Sequence, residues 1–314
     1  MKLKKWLLTL VSLVVLAGCG KQKNTFKYVG LKVYDPVYVA IENGIFKKNE
    51  LDVELIDTVA GGPTGIQLVA SGSVHAGLSS LMAIINSVNA DLPIIATTDL
   101  QSSMEGAPLE VFFVREDAGY TSVADLKGKT IAINLVKSSF HYSWIIALEQ
   151  AGLKETDVTF VVLSFAEQLL ALQNGLVDAI GLMTPYNGVA RATEGIVELF
   201  NALDVFGEKQ FTTHFVNSTY AKKHPERAKK FVSSIVEAME WIEAHQEEAK
   251  VIMAKYVGIE AEYIDDYLFQ PDGMVNMDDV AYWLDFMKER DDLDIKPEIT
   301  PEMVGTNDYN EKVK

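Results

Sequence analysis

The residues equipped for chemistry in this chain are hydroxyls, glycines and aromatics placed just beyond predicted strands. They run Tyr34, Asp35, Pro36, Val37, Tyr38; then Gly61, Gly62, Pro63, Thr64; then Ser79, Ser80; then Lys137, Ser138, Ser139, Phe140, His141, Tyr142; then Thr184, Pro185, Tyr186. Thr64, Ser79, Ser80, Ser138, Ser139 and Thr184 can donate hydrogen bonds to oxygens. Gly61 and Gly62 let backbone N–H groups approach a ligand closely. Free N–H groups at helix starts carry partial positive charge that suits an anion. Lys137 and His141 would add positive charge. Asp35 and Glu105 are placed to take an amine, although Asp35 fits better as the cap of the next helix. Tyr34, Tyr38, Phe140, Tyr142 and Tyr186 supply either an aromatic wall or core. Gln101, at the crossing between two halves, completes the candidate set. Ser and Thr also cap helices for purely structural reasons. Their recurrence at four separate loops is what points to a ligand. The chemistry implied is hydrogen bonding to the oxygens of an anion, with Asp35 or Glu105 available to an amine.

Catalytic constellations are missing. The chain has no Gly-x-Ser-x-Gly and no His-Glu-x-x-His. Gly128, Lys129 and Thr130 end like a phosphate loop, but the glycine needed upstream is Val123. His75, His141, His214, His224 and His245 show no metal-ligand spacing. No enzyme activity, metal or cofactor is expected.

These loops need strands and helices to hold them. Strands are expected at Phe26–Tyr34, Leu51–Asp57, Val74–Ser79 and Pro93–Leu100, with helices at Pro36–Asn43, Pro63–Ser71 and Leu81–Asn89. The pattern then restarts, with strands at Leu109–Arg115, Lys129–Val136, Val158–Leu163, Val177–Leu182 and Ile196–Phe200. Helices alternate with them at Ser139–Ala151, Ala166–Asn174 and Tyr186–Glu194. Such alternation predicts an α/β fold with mostly parallel sheets covered on both faces. Gly72-Ser73-Val74-His75-Ala76 echoes Gly175-Leu176-Val177-Asp178-Ala179, which suggests two like halves. Phe211–Asn217 is a further strand. Pro225–Tyr256 reads as helix, with Phe231, Ile235, Ala238, Ile242 and Ala249 on a buried stripe and Glu237, Glu240, Glu243, Glu247 and Glu248 in solvent. Helices are also expected at Glu260–Leu268 and Met277–Arg290, and a frayed tail from Thr306.

The start of the chain is a targeting signal by its pattern. Lys2, Lys4 and Lys5 precede an apolar run from Trp6 to Val15, too short for a bilayer span. Leu16-Ala17-Gly18-Cys19 resembles the lipobox of bacterial lipoproteins. The resemblance implies cleavage after residue 18, a diacylglyceryl thioether on Cys19, and a tether over residues 19–25. Two acyl chains, at ~0.8 kcal/mol per buried CH₂, would hold the domain on the extracytoplasmic face of a membrane. Cys19 is the single cysteine, so no internal disulfide can form. Loss of residues 1–18 removes three lysines and no acid, moving the formal charge from −16 to −19. So acidic a surface argues against nucleic acid as a partner.

Residues 36–55, from Pro36 through Gly44, Phe46 and Leu51, resemble the opening of substrate-binding proteins of ABC importers. The branch is the nitrate, sulfonate, taurine and thiamine-precursor group. The likeness continues through Leu68–Ser80, Asp125–Ile133, Ser138-Ser139, Gln173–Ala179 and Pro225–Gly258. It implies a two-lobed type II periplasmic-binding-protein fold that closes on its ligand and delivers it to a permease. Lobe one would be 26–107 plus 211–314, lobe two 108–210, with a hinge near 101–108 and 204–213. A monomer is expected. His75, where the family often has Asp, and Ser138, where it often has Gly, depart from the pattern. An alkyl sulfonate or taurine-like ligand would rest its oxyanion on Ser79, Ser80, Ser138 and Ser139. An aromatic heterocycle stacked on Tyr38, Phe140 or Tyr186 is the rival. A surface sensor or adhesin on the same fold is the alternative of another class.

Overall fold

A computed structural model describes residues 25–56, 62–270, 272–290 and 293–313. Cys19, the proposed signal and tether up to residue 24, and Gly61 lie outside them. Ten strands are described: β1 (Phe26–Val29), β2 (Val53–Ile56), β3 (Ala76–Ser80), β4 (Ile94–Ser103), β5 (Glu110–Arg115), β6 (Thr130–Ile133), β7 (Thr159–Val162), β8 (Ala179–Met183), β9 (Ile196–Asn201) and β10 (Lys209–Asn217). They form two five-stranded sheets, ordered β2-β1-β3-β10-β4 and β7-β6-β8-β5-β9. In each sheet four strands run one way and a single strand, β10 or β5, runs against them. The two orders are the same pattern written twice.

The helices are α1 (Pro36–Glu42), α2 (Ile45–Lys48), α3 (Gly62–Ala70), α4 (Leu81–Asn89), α5 (Ser139–Gln150), α6 (Phe165–Gln173), α7 (Tyr186–Arg191), α8 (Ala202–Phe206), α9 (Ser218–Lys223), α10 (Pro225–Ala244), α11 (Gln246–Val257), α12 (Met277–Lys288) and α13 (Pro301–Val304). The echoed segments fall on α3–β3 and α6–β8, at equivalent places in the two sheets. Gly72 and Gly175 both take left-handed backbone, φ 77° and 67°, a conformation open to glycine and costly for residues with a Cβ. No helix of the described residues is long and apolar enough to cross a membrane.

Four expectations need correction. The long helix over Pro225–Tyr256 breaks at His245, whose Nδ1 lies 2.8 Å from the Trp241 carbonyl and takes up a bond the helix would have made. Its apolar stripe is nonetheless fully buried. Glu260–Leu268 is not a helix beyond a single 3₁₀ turn at Ala261–Tyr263. Gln246 holds the extended chain there by bonding both the N–H and the carbonyl of Tyr267. The tail is not frayed. Thr306 N–H bonds the Ala96 carbonyl, Asn307 accepts from Val275 N–H, and buried Asn310 donates to the Asp272 carbonyl. Of the glutamates read as solvated, Glu237 is half-buried and pairs with Lys48, while Glu240 pairs with Lys312.

α12 clamps the return crossing between the sheets. Gln210, at the start of β10, donates its N–H to Asp279 at 2.9 Å and accepts the Trp283 indole N–H on its carbonyl at 2.7 Å.

Candidate functional site

In each sheet the ends of the parallel strands carry the predicted hydroxyls. In the first sheet Ser79 and Ser80 end β3, beside Thr213 and Thr212 of β10. Ser80 caps α4, accepting from Ala83 N–H at 3.3 Å. Ser79 is almost fully buried. A Cβ on Gly62 would lie 3.0 Å from its hydroxyl, so the start of α3 rests against Ser79. Thr64 is exposed on the first turn of α3. Gln101 lies in β4; its side chain is outside what is described.

In the second sheet the predicted serines stand at α5, which follows β6, the counterpart of β1; the counterpart of the Ser79-Ser80 end of β3 is the end of β8, where Thr184 follows. Ser138 caps α5, accepting from His141 N–H and donating to Asn134 Oδ1 at 2.9 Å. Ser139 begins it and is buried. Thr184 follows β8; its Oγ1 is buried without a hydrogen-bond partner. Lys137 takes left-handed backbone, φ 62°, and donates its N–H to His141 Nδ1 at 3.1 Å.

Several predicted contacts are turned inward. Asp35 is fully buried; it caps α1 through Val37 N–H and accepts the Tyr28 hydroxyl at 2.6 Å. Tyr38 stacks on Tyr256 at 4.3 Å with rings 6° apart, and its hydroxyl donates to the Leu31 carbonyl. Tyr34 stacks on Tyr267 at 5.1 Å. Phe140 packs edge-on against Phe112 and Phe165. The His141 ring faces Phe160 and Glu155, with Nε2 3.3 Å from the Glu155 carboxylate. Glu105 is exposed at the crossing, its N–H donating to Glu208. Tyr186 is half-buried against Phe165 and close enough to Tyr38 to oppose its ionisation.

Three features escaped the sequence reading. Glu110, the first residue of β5, is fully buried against α5, with the Ser143 hydroxyl 2.5 Å from Oε2. Burial pushes its carboxyl up to about 7, against the nearby Ser139 and Ser143 hydroxyls that hold it down. Asp99, in β4, shares a row with Thr213 and Ser79. Burial lifts it to about 8 despite the Ser102 hydroxyl on Oδ2. Third is a seam between the two sheets' helices. A Cβ on Gly188 of α7 would sit 1.9 Å from the Tyr263 carbonyl oxygen. Arg191 of α7 pairs with Asp265 nearby. On another face Arg290, just past the end of α12, bonds Glu149 of α5 and lies over the Tyr142 ring. The sequence signals were an acid opening an apolar strand, an acid inside another strand, and a glycine inside a helix.

Asp99 and Glu110 make stability depend on pH. Unfolded, both are ordinary carboxylates and have lost their protons well below pH 6.5. Folded, they keep them until about 8 and about 7. The stability linked to those retained protons is full at low pH and is lost as pH rises through the folded values. His75, pushed down to about 4 by burial, acts oppositely but only below about pH 6.5. We expect a loss of about 2 kcal/mol between pH 6.5 and 8.5. Melting temperatures across that range should fall, and Asp99→Asn should remove most of the slope. An unchanged slope in that variant would count against Asp99 as its source.

Among the described residues no group of three or more His, Cys, Asp or Glu could hold a metal. The arrangement presents hydroxyls and two helix starts, without a nucleophile–base pair in the candidate set.

The NMT1/THI5-like family model matches residues 33–249, more than half the chain. The chain belongs to the NMT1/THI5-like family. A Bacillus subtilis (strain 168) protein, provisionally named as aliphatic sulfonates-binding, is 25% identical over 281 residues, covering 85% of this chain and 82% of its own. The crystal structure of the periplasmic aliphatic sulphonate binding protein SsuA from Escherichia coli superposes with a TM-score of 0.73 at 23% identity, covering 86% of this chain and 88% of that one. The desulfurization enzyme DSZB superposes with a TM-score of 0.69 at 16% identity, covering 91% and 97%. At these identities the structural likenesses show the fold alone. That fold is the two-sheet periplasmic-binding-protein fold, and one neighbour uses it for catalysis.

Proposed function

We propose that the protein is the extracytoplasmic, lipid-anchored solute-binding component of an ABC importer. It captures a small organic anion or zwitterion, of the alkyl sulfonate or taurine kind, between two lobes. The lobes are 26–107 plus 211–314 and 108–210, joined by two crossings, and Cys19 carries the lipid. The observation that carries the reading is a pair of serine-bearing helix starts, one from each sheet: α4 directly after β3, with Ser79 and Ser80, and α5 after β6, with Ser138 and Ser139. Peptide dipoles at both helix starts favour negative charge between them. Family membership and the sulfonate-binding names among its relatives support the ligand class. Ligand binding shifts the lobes toward a closed form that a permease would receive.

A thermal-shift screen of the domain from residue 26 tests this. Methanesulfonate, taurine, nitrate, bicarbonate, pyrimidines and aromatic acids form the panel. A ligand at 100 times its Kd should add about 2.7 kcal/mol of stability. Response to a heterocycle and to no sulfonate would replace the ligand class. With Tyr38 and Phe140 packed inside, Tyr186 is then the platform left from that set.

The serines have a testable share. Ser139→Ala should weaken sulfonate binding about tenfold, the loss of a hydrogen bond to a charged group, and should cost the free protein some stability where Glu110 is ionised, because the buried carboxylate loses a neighbouring hydroxyl. Ser80→Ala should weaken binding too, but also cost ~1 kcal/mol of stability because α4 loses its cap. Normal binding by both variants would remove these serines from the site.

A further inference from the structure

Glu110 is a buried carboxylate that the capture role does not account for. It opens β5 opposite Met183 of β8 and lies under the first turn of α5. Oε2 accepts from the Ser143 hydroxyl; Oε1 is buried without a hydrogen-bond partner. The Ser139 hydroxyl also faces the carboxylate. The same turn of α5 therefore serves an internal anion from below and, on the reading above, a ligand anion from the cleft. Two negative charges sharing one helix start oppose each other in a low-dielectric setting.

We propose that an anion binding at the first turn of α5 drives uptake of one proton by the Glu110 carboxylate, so that Glu110 couples ligand affinity to pH. The proposal rests on the cleft assigned above. The proton comes from solvent and settles on the carboxylate; no other bond is made or broken. With Glu110 ionised, Ser139 is drawn toward the carboxylate and offers the ligand a lone pair. With Glu110 protonated, the Ser139 hydroxyl is released to donate to the ligand oxygen. The surroundings leave this group to decide. Across the sheet it pairs with Met183 of β8, and from α5 the Ser143 hydroxyl bonds it with Ser139 close by. No charged group contributes to its upward shift, and His141 of α5 is turned to Glu155.

The test is calorimetric titration of methanesulfonate into the whole domain at pH 6, 7 and 8, in two buffers of different ionisation enthalpy. Affinity should fall about tenfold from pH 6 to pH 8, with close to one proton taken up per ligand at the high end. Glu110→Gln should abolish both the slope and the proton uptake while binding methanesulfonate at pH 8 about as the wild type does at pH 6. Ser143→Ala removes a bond that favours the ionised form, so the midpoint of its profile should move to higher pH. This second variant keeps the test decisive if Glu110→Gln folds poorly. Binding that is independent of pH, a slope surviving in Glu110→Gln, or an unmoved midpoint in Ser143→Ala each overturns the proposal. Absence of methanesulfonate binding at every pH overturns the ligand reading itself, a separate and recognisable outcome.

Discussion

Asp35→Ala should cost about 3–5 kcal/mol of stability, the largest loss expected from any single polar substitution in this protein. Asp35 is fully buried at the junction of β1, α1 and β10. Its Oδ1 accepts Val37 N–H at 3.0 Å and faces His214 Nε2, also at 3.0 Å. Its Oδ2 accepts the Tyr28 hydroxyl at 2.6 Å. His214 Nδ1 in turn meets the Thr98 hydroxyl at 3.0 Å, which extends the chain of contacts to β4. Alanine removes the helix cap, ~1 kcal/mol by itself, and strands a hydroxyl and an imidazole nitrogen in the core. Burial and the neighbouring carboxylate already push the Tyr28 phenol well above its ordinary range, so it cannot recover by ionising. Denaturant melts should show the midpoint falling at unchanged slope, and the melting temperature dropping by ~10 °C. Asp35→Asn keeps an oxygen acceptor and should lose less. A loss under 1 kcal/mol for the alanine variant would mean that the network contributes little.

The sequence announced Asp35 as a cap, because Asp before Pro at a helix start is a local signal. What it withheld is the far side of the carboxylate. Tyr28 and His214 lie 7 and 179 residues away and meet Asp35 only because β1 and β10 flank β3. The same division runs through the whole chain. Element type was legible where apolar spacing and caps agree, as for α1, α4 and α5. The doubling of the sheet was legible in one short echo around Gly72 and Gly175. Breaks imposed by distant side chains were not: Gln246 holding Tyr267 extended, or Asn310 pinning the tail. The candidate site divides along the same line. Serines at strand ends could be located from alternation alone. Which way a side chain on that loop turns could not. Phe140 and His141 follow Ser139 on one helix turn, yet one ring fills the core against Phe112 and the other meets Glu155. Glu110 and Asp99 were hidden by their rarity: a charged residue in a buried strand reads as an exception until its neighbours are known.

Gly188→Ala should weaken ligand binding about 10- to 100-fold while leaving each sheet intact. Gly188 lies in α7, where alanine is otherwise the better helix former. The obstacle is across the seam. The new methyl would meet the Tyr263 carbonyl oxygen at 1.9 Å and its carbon at 2.9 Å, and a backbone carbonyl has no rotamer by which to yield. α7 and the chain around Tyr263 belong to different proposed lobes, so the strain falls on the contact between them rather than on either core. Overpacking of this kind costs ~1–3 kcal/mol, and each ~1.4 kcal/mol is tenfold in affinity if closure and binding are coupled. Arg191→Ala gives the contrast. It removes an ion pair with Asp265 at the same seam, but both side chains are more than a third exposed, at 36% and 39%. Such a pair contributes under ~1 kcal/mol, so affinity should change less than about fivefold. Titration calorimetry gives both affinities, and small-angle scattering shows whether Gly188→Ala keeps an extended form at saturating ligand. Wild-type affinity in Gly188→Ala would show that closure on the ligand does not bring these two backbones together.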